Sequence, residues 1–458
     1  MLPRGGSAGT IRLEGASEAT TMSDLARLSP QAFKDLLVGA GIRRFFLVWD
    51  EEHSDVRASH PTLEPLARLL SEDRRDFDRH EGVFVQIAPQ TGVLQGAFVH
   101  RTCRGQAAGG VRFWRYDTVE EYLRDGLRLA RGMTHKNALA GLWWGGGKGV
   151  MARGSGQDES DLRVRRRIYE EYGELMTSLR GCYVTAEDVG TSVEDMAAIF
   201  SRTRFTTCIP PGLGGSGNPS APTARGVVRG MEAALRFLEA DGLAGKAVAV
   251  QGLGHVGEPL VQLLFERGVA RVIGSDIDPK RGPVLRERFP ELDLTVRIVD
   301  RGDNEILGEE VDILSPNATG GVLGPETIPR IRAKIVCGAA NNQLEDPERD
   351  DALLQEAGVL YMPDFLVNRM GIVNCADEAF GYVDGDPAFE EHLGDRWENG
   401  IYRLSLRVLE EARHTGKTPA RVALALAEER SLETHPIWGH RGVQIIRSLV
   451  ASEWARQG

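Results

Sequence analysis

Between Ala247 and Met362 short apolar runs recur at regular intervals: Ala247–Val250, Val272–Gly274, Leu294–Ile298, Val311–Leu314, Ile335–Cys337 and Val359–Met362. Helix-length stretches separate them. Strands that alternate with helices form βαβ units, so this part of the chain must build a parallel sheet flanked by helices. Upstream the pattern differs. Gly82–Ile87 and Val93–Val99 are β-rich runs joined by Pro89-Gln90-Thr91-Gly92, a hairpin signal. Val119–Ala130 and Asp161–Leu179 have helical spacing. The breaker cluster Gly212–Pro222 divides the two regions. After Asp377, Trp397–Arg413 and Pro419–Glu429 carry apolar helical faces and are expected to pack back on the first domain. The chain thus reads as an α/β protein of two domains separated by a cleft. Residues 63–220 and 376–458 form one domain, residues 221–375 a Rossmann domain, and residues 1–62 an N-terminal extension.

The first of the short runs leads into Gln251-Gly252-Leu253-Gly254-His255-Val256-Gly257, a match to G-x-G-x-x-G. Among 54 glycines such a match carries little by itself. Its setting carries more: a strand precedes it, the amphipathic Val256–Arg267 follows, and Gly268 can end that helix. There Gly252 makes a tight turn, Gly254 admits a pyrophosphate, and Gly257 lets helix pack on strand. The diphosphate would rest on the helix start, at His255 and Val256, where unpaired N–H groups and the dipole favour an anion. Asp276 ends the next strand; a carboxylate there binds ribose hydroxyls and repels a 2′-phosphate. NAD is expected over NADP, with Lys280 and Arg281 weakening the preference. The competing reading is a glycine-rich turn with no ligand.

Bulk properties remove several functions. At 41% hydrophobic and 26% charged the chain is an ordinary soluble globular one. Its net charge of -11 gives no basic footprint for nucleic acid or an anionic membrane. No stretch approaches the ~20 apolar residues of a membrane span. The five cysteines are scattered without a CxxC pair, which fits a reducing compartment, the cytoplasm, and argues against disulfides and thiolate metal sites. The ten histidines show no HExxH or comparable ligand spacing, so no metal is expected. The residues up to Met22 lack an apolar signal core and read as a disordered start, with Met22 an alternative initiator. Glu14 and Glu18 speak against an organelle-targeting signal.

The chemistry points to Trp143-Trp144-Gly145-Gly146-Gly147-Lys148-Gly149, a lysine held among four glycines. A phosphate-binding loop is excluded, because Leu142 replaces its first glycine and Gly149 stands where Ser or Thr must hold magnesium. Glycines are expected here to let a small substrate approach and to adopt positive φ. A crowded lysine titrates nearer neutrality and becomes a base. Gly109-Gly110-Val111-Arg112 offers a backbone that could close over a small ligand. In Thr185-Ala186-Glu187-Asp188-Val189-Gly190, Asp188 is the functional carboxylate and Glu187 reads as a cap or solvated turn. Lys136 alone would read as a helix-surface charge.

Gly132-Met133-Thr134-His135-Lys136-Asn137-Ala138, the GGGKG segment, TAEDVG, SGNPSAPTARG (216–226), GAANNQL (338–344) and NCADE (374–378) occur in one order. With them the chain resembles the glutamate/leucine/phenylalanine/valine dehydrogenase family, most of all its leucine dehydrogenase branch, from about His80 to the C-terminus. The resemblance implies that Lys136 holds the substrate α-carboxylate, helped by the Gly109–Gly110 backbone. It implies that Lys148 is the base that activates water and that Asp188 shuttles a proton to and from the amine. Thr223 and Asn341 would lie near the nicotinamide and the substrate amino group, and Asn317 would also contact the cofactor. A homo-oligomer with contacts through the first domain is implied as well. Independently of the family, oxidising an α-amino acid needs a hydride acceptor, a carboxylate anchor and a base for iminium hydration.

Glutamate-specific relatives carry a lysine before the Gly-Gly and a serine on the later helix; here those positions are Ala108 and Cys375. Burying a free carboxylate without a partner costs several kcal/mol, so glutamate should be rejected. The matched pocket positions Ala108, Ala186, Ile372 and Cys375 are small or apolar and favour a branched aliphatic substrate. Phenylalanine or another apolar acid is the alternative, since hydrophobic pockets discriminate a methylene by only ~1–3 kcal/mol. A catalytically weak NAD-binding regulatory protein is the rival from another class, and the intact Lys136, Lys148 and Asp188 argue against it. Arg369 and Met370, bulky where relatives are small, are expected beside the cleft, where they would reshape the pocket.

Overall fold

The computed structural model describes residues 22–154, 156–381, 383 and 385–457, so the disordered start expected before Met22 lies outside the described residues. Two sheets organise the fold. The first contains β1 (Arg44–Asp50), β2 (Asp55–Ala58), β3 (Gly82–Ile87), β4 (Leu94–Arg101), β5 (Ala107–Trp114), β6 (Gly145–Ala152) and β7 (Tyr183–Glu187) in the order β2-β1-β3-β4-β6-β5-β7. β5 runs parallel to both β6 and β7, and the other pairings are antiparallel.

Residues from Met22 to His60 are therefore not an extension outside the first domain. β1 pairs with β3, Phe45 opposite Val85 and Leu47 opposite Val83. Successive residues of a strand point to opposite faces, and both faces of β1 are covered. Phe45 and Leu47 join a core with Phe33, Leu66, Phe98 and Tyr122. Phe46 and Val48 join the opposite core with Phe84, Val99 and Met176. The apolar run Phe45–Trp49 is a two-sided strand, and its burial makes the N-terminal segment part of the first domain.

The second sheet is wholly parallel, with β8 (Ala247–Gln251), β9 (Arg271–Asp276), β10 (Leu294–Ile298), β11 (Ile313–Pro316), β12 (Ile335–Val336) and β13 (Leu360–Tyr361) in the order β10-β9-β8-β11-β12-β13. Counted from β8, this is the 3-2-1-4-5-6 order of a doubly wound Rossmann domain, and the strand order reverses between β8 and β11.

The C-terminal helices divide between the domains instead of packing on the first alone. Leu404, Val408 and Leu409 of the helix Ile401–Thr415 lie in the Rossmann core beside Val227, Met231 and Leu235. Ile446 and Leu449 of Arg441–Ala451, with Trp454, enter the first domain's core. Between them, Pro419–Ser431 buries Val422 and Ala427 in the Rossmann core while its Glu428 meets Arg101 and His135 of the first domain.

Arg369 and Met370 do not line the cleft. Arg369 is fully buried and its guanidinium donates to the carbonyls of Leu139 and Asn399. Burial pushes it down to about 9. Met370 packs with Ala140, Val373, Leu393 and Ile401. Both residues tie the end of the helix Val119–Leu139 to the segment entering Ile401–Thr415, because a long buried side chain satisfies carbonyls that the chain leaves open there.

Candidate active site

Lys148 lies within β6, an interior strand of the first sheet, and its glycines serve that position. None of Gly145, Gly146, Gly147 and Gly149 has positive φ. A Cβ on Gly145 would collide with the Arg101 carbonyl, on Gly146 with Thr134, and on Gly149 with the Tyr172 hydroxyl; on Gly147 it would lie 2.6 Å from the Tyr183 ring. The glycines thus admit neighbouring protein, not substrate. Their effect on the site is indirect: the helix Val119–Leu139 crosses β6 at backbone distance where Gly146 meets Thr134, which brings Lys136 toward Lys148.

Lys148 is 3% exposed, and its Nζ lies 2.7 Å from Asp188 Oδ2 at the end of β7. Burial lowers its pKa; the Asp188 charge opposes that shift and the Arg112 charge adds to it. Asp188 is held well below the usual carboxylate range: burial raises it, but Lys148 and Arg112 more than offset this. Arg112 Nε sits 3.4 Å from Asp188 Oδ2, and Arg112 Nη1 lies 3.2 Å from both Asp125 oxygens. Tyr116 donates to Asp125 at 2.7 Å. At neutral pH Asp188 is therefore an acceptor, poised beside an amine that releases its proton more readily than a surface lysine.

Lys136, in the last turn of Val119–Leu139, donates to Asn341 Oδ1 at 3.0 Å across the domain boundary. Asn341 Oδ1 also accepts from Asn368 at 3.0 Å. Burial pushes Lys136 down to about 8, against the attraction of Asp364. Ala108, Ala186, Ile372 and Cys375 all belong to one buried cluster, with Met133 packed against it. Gly110 pairs with Ala186, and a Cβ on it would lie 2.7 Å from the Asp188 Cβ. Substrate candidates scattered over the sequence thus converge where the first domain faces the second.

On the Rossmann side, Gly252 has φ +88° and donates to Ser275 O at 2.8 Å, so it makes the turn after β8. A Cβ on Gly257 would collide with the Gly252 carbonyl, whereas one on Gly254 would meet nothing within 4 Å. The helix Gly257–Glu266 has no side-chain cap at Val256. Among the described residues the His255 and Val256 amides have no protein acceptor. Open space over uncapped amides at the switch point of a parallel sheet fits a dinucleotide diphosphate. Asp276 accepts from the amides of Leu253 at 2.7 Å and Asp278 at 2.8 Å, which fixes its carboxylate at the crevice edge with lone pairs to spare. Asn317 follows β11; it accepts from Ala339 N at 2.8 Å and donates to Ser315 O at 2.8 Å, so its side chain braces the crevice loops. Thr223 Oγ1 donates to Pro219 O at 2.9 Å within its own helix and faces Gly371.

Three features escape sequence reading. Arg112 is a partner of Asp188, hidden because it lies 76 positions away. Glu187 is not a solvated turn: Asn218 donates to both its oxygens, at 2.9 and 3.2 Å, and burial with the Asp188 charge pushes it up to about 7. Glu378 collects the amides of Cys208 and Ser216 at 2.8 and 2.9 Å, pinning the breaker loop that links the domains. Only its place at the end of the NCADE motif hinted at Glu378.

Residues 83–205 match the family model for the Glu/Leu/Phe/Val dehydrogenase dimerisation domain. Residues 214–280 and 286–435 match that for Glutamate/Leucine/Phenylalanine/Valine dehydrogenase. The chain is 40% identical to the leucine dehydrogenase of Bacillus subtilis over 355 residues, 77% of this chain and 92% of that one. It is 39% identical to the valine dehydrogenase of Streptomyces coelicolor over 366 residues, 79% of this chain and 94% of that one. The crystal structure of L-tryptophan dehydrogenase from Nostoc punctiforme superposes with a TM-score of 0.61 at 33% identity, covering 77% of this chain and 96% of that one. The chain belongs to the glutamate/leucine/phenylalanine/valine dehydrogenase family.

Proposed function

We propose that the protein converts an apolar L-amino acid, water and NAD⁺ into the 2-oxo acid, ammonium, NADH and a proton. Its similarity to leucine and valine dehydrogenases supports an amino acid dehydrogenase, an oxidoreductase that uses a nicotinamide cofactor. The observation that carries the mechanism is the buried Lys148–Asp188 pair at 2.7 Å. The glycine turn, the helix start and Asp276 hold the cofactor, which supplies the acceptor for the hydride leaving Cα. Lys136 anchors the α-carboxylate, helped by the Gly110 backbone, and Asn341 fixes the amino group. Thr223 and Asn317 flank the nicotinamide side of the crevice. Asp188 takes a proton from the substrate ammonium so that the nitrogen lone pair can assist hydride loss. Lys148, neutral, then accepts a proton from water as it adds to the iminium carbon. Asp188 returns its proton to the amine, the C–N bond breaks, and the hydroxyl proton leaves as the carbonyl forms. This proton and the one on Lys148 supply the ammonium and the released proton. Positioned proton transfer of this kind contributes ~10²–10⁴-fold. Lys136–Asn341 spans the two domains and Glu187–Asn218 ties the first domain to the loop that links them, and we read both as contacts of a cleft that closes over substrate.

Ala108, Ala186, Ile372 and Cys375, with Met133, offer no cation to a side-chain carboxylate, so the substrate is apolar, with leucine and its branched relatives favoured. The small Ala108 and Ala186 favour phenylalanine as the second reading. The match of residues 83–205 to a dimerisation domain supports a homo-oligomer assembled through the first domain. No helix among the described residues is long and apolar enough to cross a membrane. The five free cysteines suit a reducing cytoplasm. NADH formation with a panel of L-amino acids tests the reading. Leucine, valine or phenylalanine should turn over and glutamate should not, with NAD⁺ preferred to NADP⁺. Absence of turnover with every acid would favour a binding protein, and a preference for NADP⁺ would overturn the role of Asp276.

A further inference from the structure

Three side chains outside the lysine site converge: Glu81 just before β3, Cys103 in the turn after β4, and His440 just before the helix Arg441–Ala451. Their ligand atoms all lie within 4.8 Å of one another. His440 Nε2 is 2.9 Å from Glu81 Oε1 and 3.1 Å from Thr102 Oγ1. An ion pair between Glu81 and His440 would need no thiol. Adding Cys103 turns that pair into a sulfur, nitrogen and oxygen donor set.

We propose that Glu81, Cys103 and His440 bind a divalent cation of the zinc class, leaving a fourth position to water. Thiolate, imidazole and carboxylate are the donors zinc prefers, and three protein ligands plus water complete its tetrahedron. Hard cations such as calcium and magnesium require oxygen-rich shells that this cluster lacks. Zinc bonds of ~2.0–2.3 Å place ligand atoms roughly 3.3–3.6 Å apart. Moving from the hydrogen-bonded to the metal-bound arrangement therefore needs an opening of about half an ångström between Glu81 and His440. The thiol proton and the His440 ring proton that faces Glu81 both leave to solvent on binding.

The surroundings hold the ligands in place. The Thr102 amide donates to Glu81 Oε1 at 2.8 Å, a hydrogen bond that orients the carboxylate for ligation. His435 N donates to Cys103 O at 3.0 Å. A Cβ on Gly442 would collide with the Thr102 side chain, so the start of the last helix is seated directly on this turn. Next to this turn, Arg104 lies 4.4 Å from the Trp143 ring centre and donates to Arg430 O at 3.1 Å, which ties the turn to the preceding helix. The ligands are separated by 22 and 337 positions, so no ligand spacing exists for the sequence to show. The cation would fasten the C-terminal helix to the first sheet.

The test uses the full-length protein after chelator treatment, titrated with Zn²⁺ and separately with Co²⁺. One equivalent per chain should bind, Co²⁺ should give a thiolate-to-metal charge-transfer band, and Zn²⁺ should raise the unfolding midpoint. The other four cysteines are buried, which leaves Cys103 as the thiol accessible to cobalt. Cys103→Ser should abolish the band and weaken zinc binding at least tenfold. His440→Gln should weaken zinc binding similarly with the thiol intact, and it carries the test alone if Cys103→Ser does not fold. Amino acid turnover should be the same before and after chelation. Absence of stoichiometric binding to the wild type, or binding undiminished in both variants, would overturn the proposal.

Discussion

At the scale of single residues, the proposed mechanism depends on how one lysine sheds its proton. Burial and Arg112 lower the Lys148 pKa, and Asp188 partly restores it. A base must be neutral to act, so kcat/KM for deamination should rise with pH through an ionisation below the ordinary lysine value of ~10.4. Arg112→Met removes a cation that favours the neutral amine while leaving burial in place, so it should move that limb to higher pH. A limb that stays put in the pH–rate profile would belong to another group, such as the substrate amine. Lys148 was legible from its glycines as an unusual lysine, but for the wrong physical reason: they accommodate Thr134, Tyr172 and Tyr183. Asp188 was singled out within its own segment, but its pairing with Lys148 was not, because a carboxylate 40 positions from its lysine leaves no local periodicity; Lys136 became legible only through motif order.

At the scale of elements, the contact between β6 and the helix Val119–Leu139 sets the spacing of the two lysines. Gly146→Ala places a methyl group against the backbone of Thr134, which cannot yield as a flexible side chain would. Overpacking of this kind costs about 1–3 kcal/mol, so the urea midpoint should fall. Separation of helix from strand should also lower kcat/KM, since Lys136 and Lys148 would drift apart. Normal stability and normal kinetics together would show that this contact does not set the geometry. The Rossmann strands were readable because each is a short apolar run bounded by breakers. β6 was not, because four glycines imitate a loop. Arg369 misled for a related reason: chain position places it near the cleft, whereas its long side chain turns to the carbonyls of Leu139 and Asn399.

At the scale of the whole molecule, sequence order separates parts that the fold joins. Two domains and a dinucleotide crevice could be inferred from alternation and glycine spacing. The sharing of the C-terminal helices between both cores could not, since amphipathic periodicity reveals an apolar face and not its partner. The N-terminal segment is the clearest case. Removing residues 1–62 would strip β1 and β2 from the first sheet and expose β3 as a new edge. That truncation should yield an insoluble or unfolded chain, checked by solubility and circular dichroism; a folded, active product would restore the reading of residues 1–62 as an extension outside the first domain. In the proposed mechanism the fold brings a buried first-domain base to a second-domain hydride acceptor. Steady-state turnover of Lys148→Ala, with NAD affinity measured in parallel, tests it most directly. In that variant kcat should fall ~10²–10⁴-fold while cofactor affinity is retained. Turnover within a few-fold of the wild type would contradict it.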